Sequence, residues 1–437
     1  MEFAKYETFY IMPHKTRLIL FYTFVILFIA LGGIVLAYSY GWRIDFETGK
    51  VQKIGAIYVK ANVRDVTIKI NNKEYKDESG ILQSGTLISN LLPKTYRIEV
   101  TKDGYLPYHK TLTVQPALVE ELLNVQLIPT TFEPTVIAPT KGTTFIDATE
   151  SADRMILKDT STGIHYLHTK TNASSTVNLT MAVSNAKRGQ KIKRIAFIPF
   201  KPTQFVIEDA TGFKLFDSEK KTIETLYKGS IVAWTMRDST MIVVETNTKT
   251  RAQEIFTFSL IFKTKTSLND LNTEIPKTTY LTQIDATSNL ATIAFSDVEN
   301  GLFLFTPKEK KLKHIAENIH SFTFSPDNKK LLIKPNSGNP SVLFIEDFDG
   351  DIRKKEGDMI TIALPQTDTV KTIEWYGDSY HLLVEHPSKL VITELDDRTP
   401  LNIFPLASNF IDYRYSAKEK TVYYTHAKEL LSIRIER

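Results

Sequence analysis

The chain has 437 residues, a formal net charge of +4 and no cysteine. Its length suggests two or three domains, and so small a charge gives no argument for nucleic-acid binding. The absence of thiols excludes disulfides, cysteine nucleophiles and thiolate metal sites.

Residues 1–17 form a short polar tail. Residues 18–40, LILFYTFVILFIALGGIVLAYSY, carry no charge, and roughly 20 apolar residues suffice to cross a bilayer as a helix. Gly32 and Gly33 are common in such spans, and Tyr38, Tyr40 and Trp42 suit the headgroup layer. Lys15 and Arg17 precede the run, while Arg43, Lys50 and Lys53 follow it, diluted by Asp45 and Glu47. The two sides nearly tie under the positive-inside rule. The basic pair directly before Leu18 favours a cytoplasmic N-terminus, with inverted topology as the alternative. The expected membrane-interface residues are Lys15, Arg17, Tyr38, Tyr40, Trp42 and Arg43. Ala37-Tyr38-Ser39 is a poor cleavage site, and the run exceeds the 7–15 residues of a signal core, so it reads as an uncleaved anchor.

Residues 41–53 read as a linker. Short alternating strands follow over 54–61, 65–70, 86–91, 96–101, 110–115 and 122–128. Tyr96-Arg97-Ile98-Glu99-Val100 alternates apolar and charged residues, as a sheet with one wet face does. Asn71-Asn72 and Asp103-Gly104 fit turns that need positive φ. These observations predict a small all-β domain over 54–129.

Five blocks resemble a known family. They are Gly55-Ala56-Ile57-Tyr58-Val59, Val66-Thr67-Ile68-Lys69-Ile70 with Asn71-Asn72-Lys73, Leu91-Leu92-Pro93-Lys94-Thr95-Tyr96-Arg97-Ile98-Glu99-Val100, Lys102-Asp103-Gly104-Tyr105 and Val125-Gln126-Leu127. In order and spacing they resemble a PEGA domain, a β-sandwich of bacterial envelope proteins. Asn62-Val63-Arg64-Asp65 stands where the family has Pro-Glu-Gly-Ala, so no ligand is carried over from that motif. The resemblance implies an envelope location, and together with the basic pair before Leu18 it makes the expected location the bacterial cytoplasmic membrane, single-pass, with the N-terminus inside and the C-terminal domains outside.

Pro129, Pro134 and Pro139 mark a seam, because proline breaks sheet ladders. After it, seven units align: Phe145-Ile146-Asp147-Ala148, Arg194-Ile195-Ala196-Phe197, Ile231-Val232-Ala233-Trp234, Gln283-Ile284-Asp285-Ala286, Ser321-Phe322-Thr323-Phe324, Thr372-Ile373-Glu374-Trp375 and Asp412-Tyr413-Arg414-Tyr415. Their spacing matches the roughly 40–50 residues of a four-stranded propeller blade. The last unit supplies three strands, and residues 131–138 can supply a fourth, closing the ring. A seven-bladed β-propeller over 130–437 is the reading, with six or eight blades as alternatives. Phe324-Ser325-Pro326-Asp327-Asn328-Lys329-Lys330-Leu331 resembles the hairpin signature of the WD-repeat-like propellers of Tol-associated proteins and prolyl oligopeptidases. Trp375-Tyr376-Gly377-Asp378-Ser379 is a degenerate copy.

Asp147, Asp285, Thr323, Glu374 and Arg414 occupy the third position of the aligned strand. If that strand is innermost, they are candidates for a ligand site at the channel mouth, or else they bond neighbouring blades. Asp347-Phe348-Asp349-Gly350-Asp351 lacks the calcium-loop spacing, which needs glycine sixth and glutamate twelfth, and reads as an acidic hairpin. His165 and His168 point to opposite faces of a strand, which disfavours a shared metal. His381 and His386 are also separated on a continuous strand. The nucleophile elbow Gly-x-Ser-x-Gly is absent. The basic run over residues 187–194 lacks interleaved aromatics and reads as a loop that could attract an anionic polymer or lipid. No enzyme activity, cofactor or metal is expected. The expected partners are the bilayer, through residues 18–40, and an envelope protein or glycan. The alternative is an enzyme or accessory subunit with a ligand site in the channel.

Overall fold

The computed structural model describes residues 13–80, 83–140, 142–159, 163–169, 177–178, 192–199, 201–276, 279–365 and 369–436. Helix α1, His14–Ser39, starts four residues before the uncharged run and buries none of its side chains. Its most apolar 18-residue stretch has a mean hydropathy of 2.7. The Thr23 and Ser39 hydroxyls donate to the carbonyls of Ile19 and Val35, both at 2.8 Å, which satisfies polar groups where lipid offers no partner. The helix fits a single-pass membrane anchor.

The chain divides into two compact units, Met1–Val100 with His109–Val125, and Thr101–Tyr108 with Gln126–Arg437. The β-sandwich has a three-stranded sheet ordered Thr86–Leu91, Gly55–Ala61, Val119–Val125. Its four-stranded sheet is ordered Lys73–Lys76, Thr67–Ile70, Thr95–Thr101, Tyr108–Thr113. Ile57 and Val59 bury from one sheet and Ile68, Ile98 and Val100 from the other. Asn71 and Asn72 have φ of 45° and 72°, the two-residue turn that matches strand twist. Ile70 pairs with Lys73 across it. Lys73–Lys76 and the hairpin Trp42–Ile44/Val51–Lys53 are strands that the hydropathy pattern misses.

The propeller comprises seven four-stranded sheets among the described residues. Each begins with an innermost strand that carries an aligned unit: Thr144–Ala148, Arg194–Ile198, Ile231–Arg237, Leu281–Ala286, Ile319–Phe324, Thr372–Trp375 and Asp412–Ser416. We number the blades 1–7 in that order. The second strands read as continuous apolar runs because both their faces are covered. In blade 3, Met241 and Val243 pack with Phe213 and Trp234, whereas Ile242 and Val244 pack with Ile284 and Phe295. Alternate residues of one strand thus fill the two flanking blade interfaces. Thr135–Pro139 pairs with Glu429–Arg434 as the outer strand of blade 7, so strands from the two ends of the propeller close one blade. Between blades 3 and 4 a short helix, α2, Asn269–Glu274, brings Asn272 to accept from the Ile255 N–H at 2.8 Å and donate to its carbonyl at 2.9 Å. The acidic segment of blade 5 forms a hairpin in which Phe348–Asp349 pairs with Arg353–Lys354. Its Asp347 is ion-paired to Lys355 at 2.9 Å.

The turn after the innermost strand follows one design in blades 1, 4 and 5. Thr149, Thr287 and Ser325 each accept from the N–H five residues on, at 3.2, 3.1 and 3.0 Å. The Thr287 hydroxyl donates to the Thr292 carbonyl at 3.3 Å, whereas those of Thr149 and Ser325 donate to Asp153 and Asp327 at 2.6 and 2.5 Å. The residue three on is left-handed: Ala152, Leu290 and Asn328 have φ of 48°, 58° and 60°. Ser379 takes the same place in blade 6, with φ 61°.

In blade 6 the turn carries an ion pair, His381 Nδ1 to Asp378 Oδ2 at 2.6 Å. Burial disfavours a charged His381, but Asp378 outweighs it and raises the imidazole above its ordinary value, with Glu394 and Asp351 adding to the negative field. Burial likewise opposes ionised Asp378, and His381 outweighs it, leaving the carboxyl below its ordinary range. The raised histidine stabilises fully below its unfolded pKa, roughly 6.5, and that contribution fades as pH climbs through the folded value. The lowered aspartate stabilises above roughly 3.9 and fades as pH falls through its folded value. Melting temperature is therefore expected to decline as pH rises above roughly 6.5, and His381→Gln to flatten that decline. Parallel slopes in a thermal scan of the two proteins would discount the pair.

Candidate functional site in the propeller channel

The innermost strands line the channel, and their polar side chains reach sideways before they reach inward. Asp147 accepts from the Phe197 N–H of blade 2 at 2.7 Å and from Arg414 of blade 7 at 2.8 Å. Asp285 accepts from the Phe324 N–H of blade 5 at 3.2 Å, and from Arg237 and Thr235 of blade 3 at 2.6 and 3.1 Å. Asp412 accepts from the Phe145 N–H of blade 1 at 2.7 Å. In each case an inner-strand carboxylate clasps a backbone N–H on the next blade, where an unpaired donor would be costly.

The five candidate residues separate into groups. Asp147 and Arg414 form an ion pair, and the Thr323 hydroxyl reaches Asp285 at 3.4 Å. Glu374 is packed among protein atoms while keeping part of its surface open. Burial raises its pKa, opposed by the charge of Arg414 and a hydrogen bond with Tyr413. It lines neither cavity described next.

Two cavities share Arg194, Trp234, Thr235, Arg237 and Thr323 in their linings. The larger, about 690 Å³, adds Asp147, Arg414 and Lys418. The smaller, about 410 Å³, adds Glu208, Gln283 and Asp285. The sequence pattern passes over Arg194, Glu208, Trp234 and Arg237 as site residues. Glu208 comes from a second strand, Lys201–Asp209, and Arg237 lies beyond the aligned unit. Arg194 lies 4.2 Å from the Trp234 ring centroid and donates to the Trp234 carbonyl at 2.6 Å. The Trp234 indole N–H donates to Glu208 at 2.8 Å. Burial lowers the pKa of Arg194, partly offset by Asp147, Glu208 and Asp285. Arginine keeps its charge through such shifts. Arg194 thus holds its plane on an aromatic face in the open channel, whereas Arg237 and Arg414 each have a carboxylate partner. Such a guanidinium offers forked donors to a planar carboxylate or a phosphate.

Among the described residues, no group of three or more His, Asp or Glu could hold a metal ion. His386 Nδ1 lies 3.1 Å from the Thr369 carbonyl oxygen. His165 and His168 sit opposite Leu157 and Arg154 in the strand ladder. Of the basic run, residues 187–191 lie outside the described residues. Lys193 meets Glu208 at 3.5 Å.

No protein-family model and no curated protein matches this chain. Among solved structures, Chaetomium thermophilum Raptor is similar over 70% of this chain and 29% of that one, at 13% identity and a TM-score of 0.47. The extracellular domain of a one-component system from B. thetaiotaomicron is similar over 70% of this chain and 40% of that one, at 15% identity and a TM-score of 0.44. This chain therefore spans less than half the length of either.

Proposed function

We propose that this protein is a membrane-anchored binding or scaffolding module of the bacterial cell envelope, non-enzymatic, holding a protein or glycan partner at the propeller channel. Its sandwich is read as PEGA-like on the strand and turn pattern, and the propeller is read as extracytoplasmic. The observation that carries the binding role is Arg194. It is a channel-lining guanidinium fixed on Trp234, beside two arginines, Arg237 and Arg414, that are already paired with carboxylates. A second reading, ligand chemistry in the channel, rests on the raised pKa of Glu374. That carboxyl lines neither cavity, so binding is the better supported of the two.

The test is photo-crosslinking on intact cells from position 235, inside the channel, against position 309, on an outer turn. A partner captured at 235 and not at 309 is the expected result. Arg194→Ala should cut that capture by about tenfold, as loss of an anchoring arginine does. Equal capture from both positions, or capture indifferent to Arg194, would remove the channel as the site. Protease shaving of the same cells reads topology: a chain left whole while outer-surface controls are cut places the propeller inside.

A further inference from the structure

The segment that follows the membrane helix folds with its polarity inverted. Trp42 pairs with Lys53, Arg43 with Gln52, and Ile44 with Val51. Side chains alternate between the faces of such a ribbon. In water the apolar face turns inward. Here the polar set does. Asp45 is only 8% exposed and folds the turn, accepting from the Glu47 N–H at 3.0 Å and the Thr48 hydroxyl at 2.6 Å. Arg43 lies over the Tyr38 ring at 3.3 Å and donates to the Tyr38 carbonyl at 2.7 Å. The outward set is Trp42, Ile44, Val51 and Phe46, and Phe46 is 91% exposed at the tip.

Two further observations say what covers this face. The Ile54 N–H donates to the Gly41 carbonyl at 2.9 Å, which stitches the root of the hairpin to the end of α1. The hairpin therefore begins where α1 ends, next to the exposed Tyr38 and Tyr40, at the depth where interfacial aromatics sit. Lys50 and Lys53 are exposed along it, while the acids are engaged, Asp45 in the turn and Glu47 with Lys94 at 3.5 Å. Apolar side chains rimmed by lysines match an anionic headgroup layer.

We propose that the hairpin over residues 42–53 is an interfacial wedge. Its Trp42–Ile44–Phe46–Val51 face lies in the headgroup layer of the bilayer that α1 spans, with Lys50 and Lys53 against anionic lipid phosphates. This rests on α1 being a membrane span.

The absence of native cysteine makes the test direct. Full-length Phe46→Cys, Tyr38→Cys and Glu309→Cys, each carrying an environment-sensitive fluorophore, are placed in nanodiscs containing brominated phosphatidylcholine, with or without phosphatidylglycerol. Quenching at position 46 should approach that at 38 and exceed that at 309 by at least about twofold. Adding phosphatidylglycerol should deepen it, and a Lys50→Glu, Lys53→Glu variant should lose that increment. Quenching at 38 with none at 46 overturns the wedge and leaves the span intact. Absence of quenching at 38 overturns the span itself. Energy transfer between labelled copies at 46 without lipid quenching overturns the wedge in favour of a second copy. Identical quenching with and without phosphatidylglycerol overturns the role of the lysines.

Discussion

Replacing Leu430 by alanine is expected to destabilise the propeller by about 2–5 kcal/mol, the range for emptying a well-packed leucine site. Leu430 is fully buried. Its strand, Glu429–Arg434, is hydrogen-bonded on one side to Thr421–His426 and on the other to Thr135–Pro139. Its side chain belongs to a cluster with Ala138, Ala152, Met155, Leu157, Leu167 and Tyr423, which joins blade 7 to blade 1. A cavity there weakens the joint at which the ring closes, and an opened ring exposes the edges that closure removes. Against a total stability of roughly 5–15 kcal/mol, the loss should register as a lower denaturation midpoint followed by the buried Trp234 and Trp375. Val136→Ala on the same closing strand, at 56% exposed, should stay within about 0.5 kcal/mol of the parent. Equal midpoints for the two variants would mean that closure contributes little.

The architecture was readable because its physical demands are local. A blade's second strand is covered on both faces, so Met241-Ile242-Val243-Val244 has to be apolar throughout. The unit around Asp412 supplied three strands, which called for a fourth from the other end, and Thr135–Pro139 provides it. The turn chemistry was half readable. Ser325-Pro326-Asp327 stood out, but Thr149 and Thr287 close the same turn without proline or a constant neighbour, because the hydroxyl and one left-handed residue are all it needs. Two strand regions were hidden for opposite reasons. Lys73–Lys76 is a polar edge strand with little to bury, and the 42–53 hairpin presents its apolar side outward, so a water-based pattern misreads it as a linker.

The channel was less readable than the ring. Its cavity residues are assembled from three kinds of position: aligned units (Asp147, Asp285), a second strand (Glu208) and a strand end past the repeat (Arg237). No linear spacing announces that Arg194 will lie on Trp234, forty residues away in another blade. The polar third position of the repeat did announce polar inner strands. It could not separate a residue facing a ligand from one clasping its neighbour, because both demand a hydrogen-bonding group at the same place.

Asp285 decides how much that clasp is worth. Asp285→Ala is expected to cost about 3–5 kcal/mol, the range for stripping one partner from a buried ion pair. Its carboxylate, 9% exposed, serves Arg237 and the Phe324 N–H together. Removal leaves a guanidinium only 28% exposed and a buried backbone donor without their acceptor. Asp285→Asn keeps the shape and one oxygen, and should cost less, about 1–3 kcal/mol. Adding Arg237→Met to Asp285→Ala should recover part of the loss, since the stranded charge goes with it. Arg194→Ala, which gives up an aromatic contact and one hydrogen bond but no ion pair, should cost less, about 1–2 kcal/mol. That separation matters for function. If Asp285→Ala melts near the parent, inner-strand carboxylates are not holding the blades and are free to serve a ligand. If it melts far below while Arg194→Ala does not, the aspartates fasten the ring, and the binding surface is the guanidinium they leave unpaired.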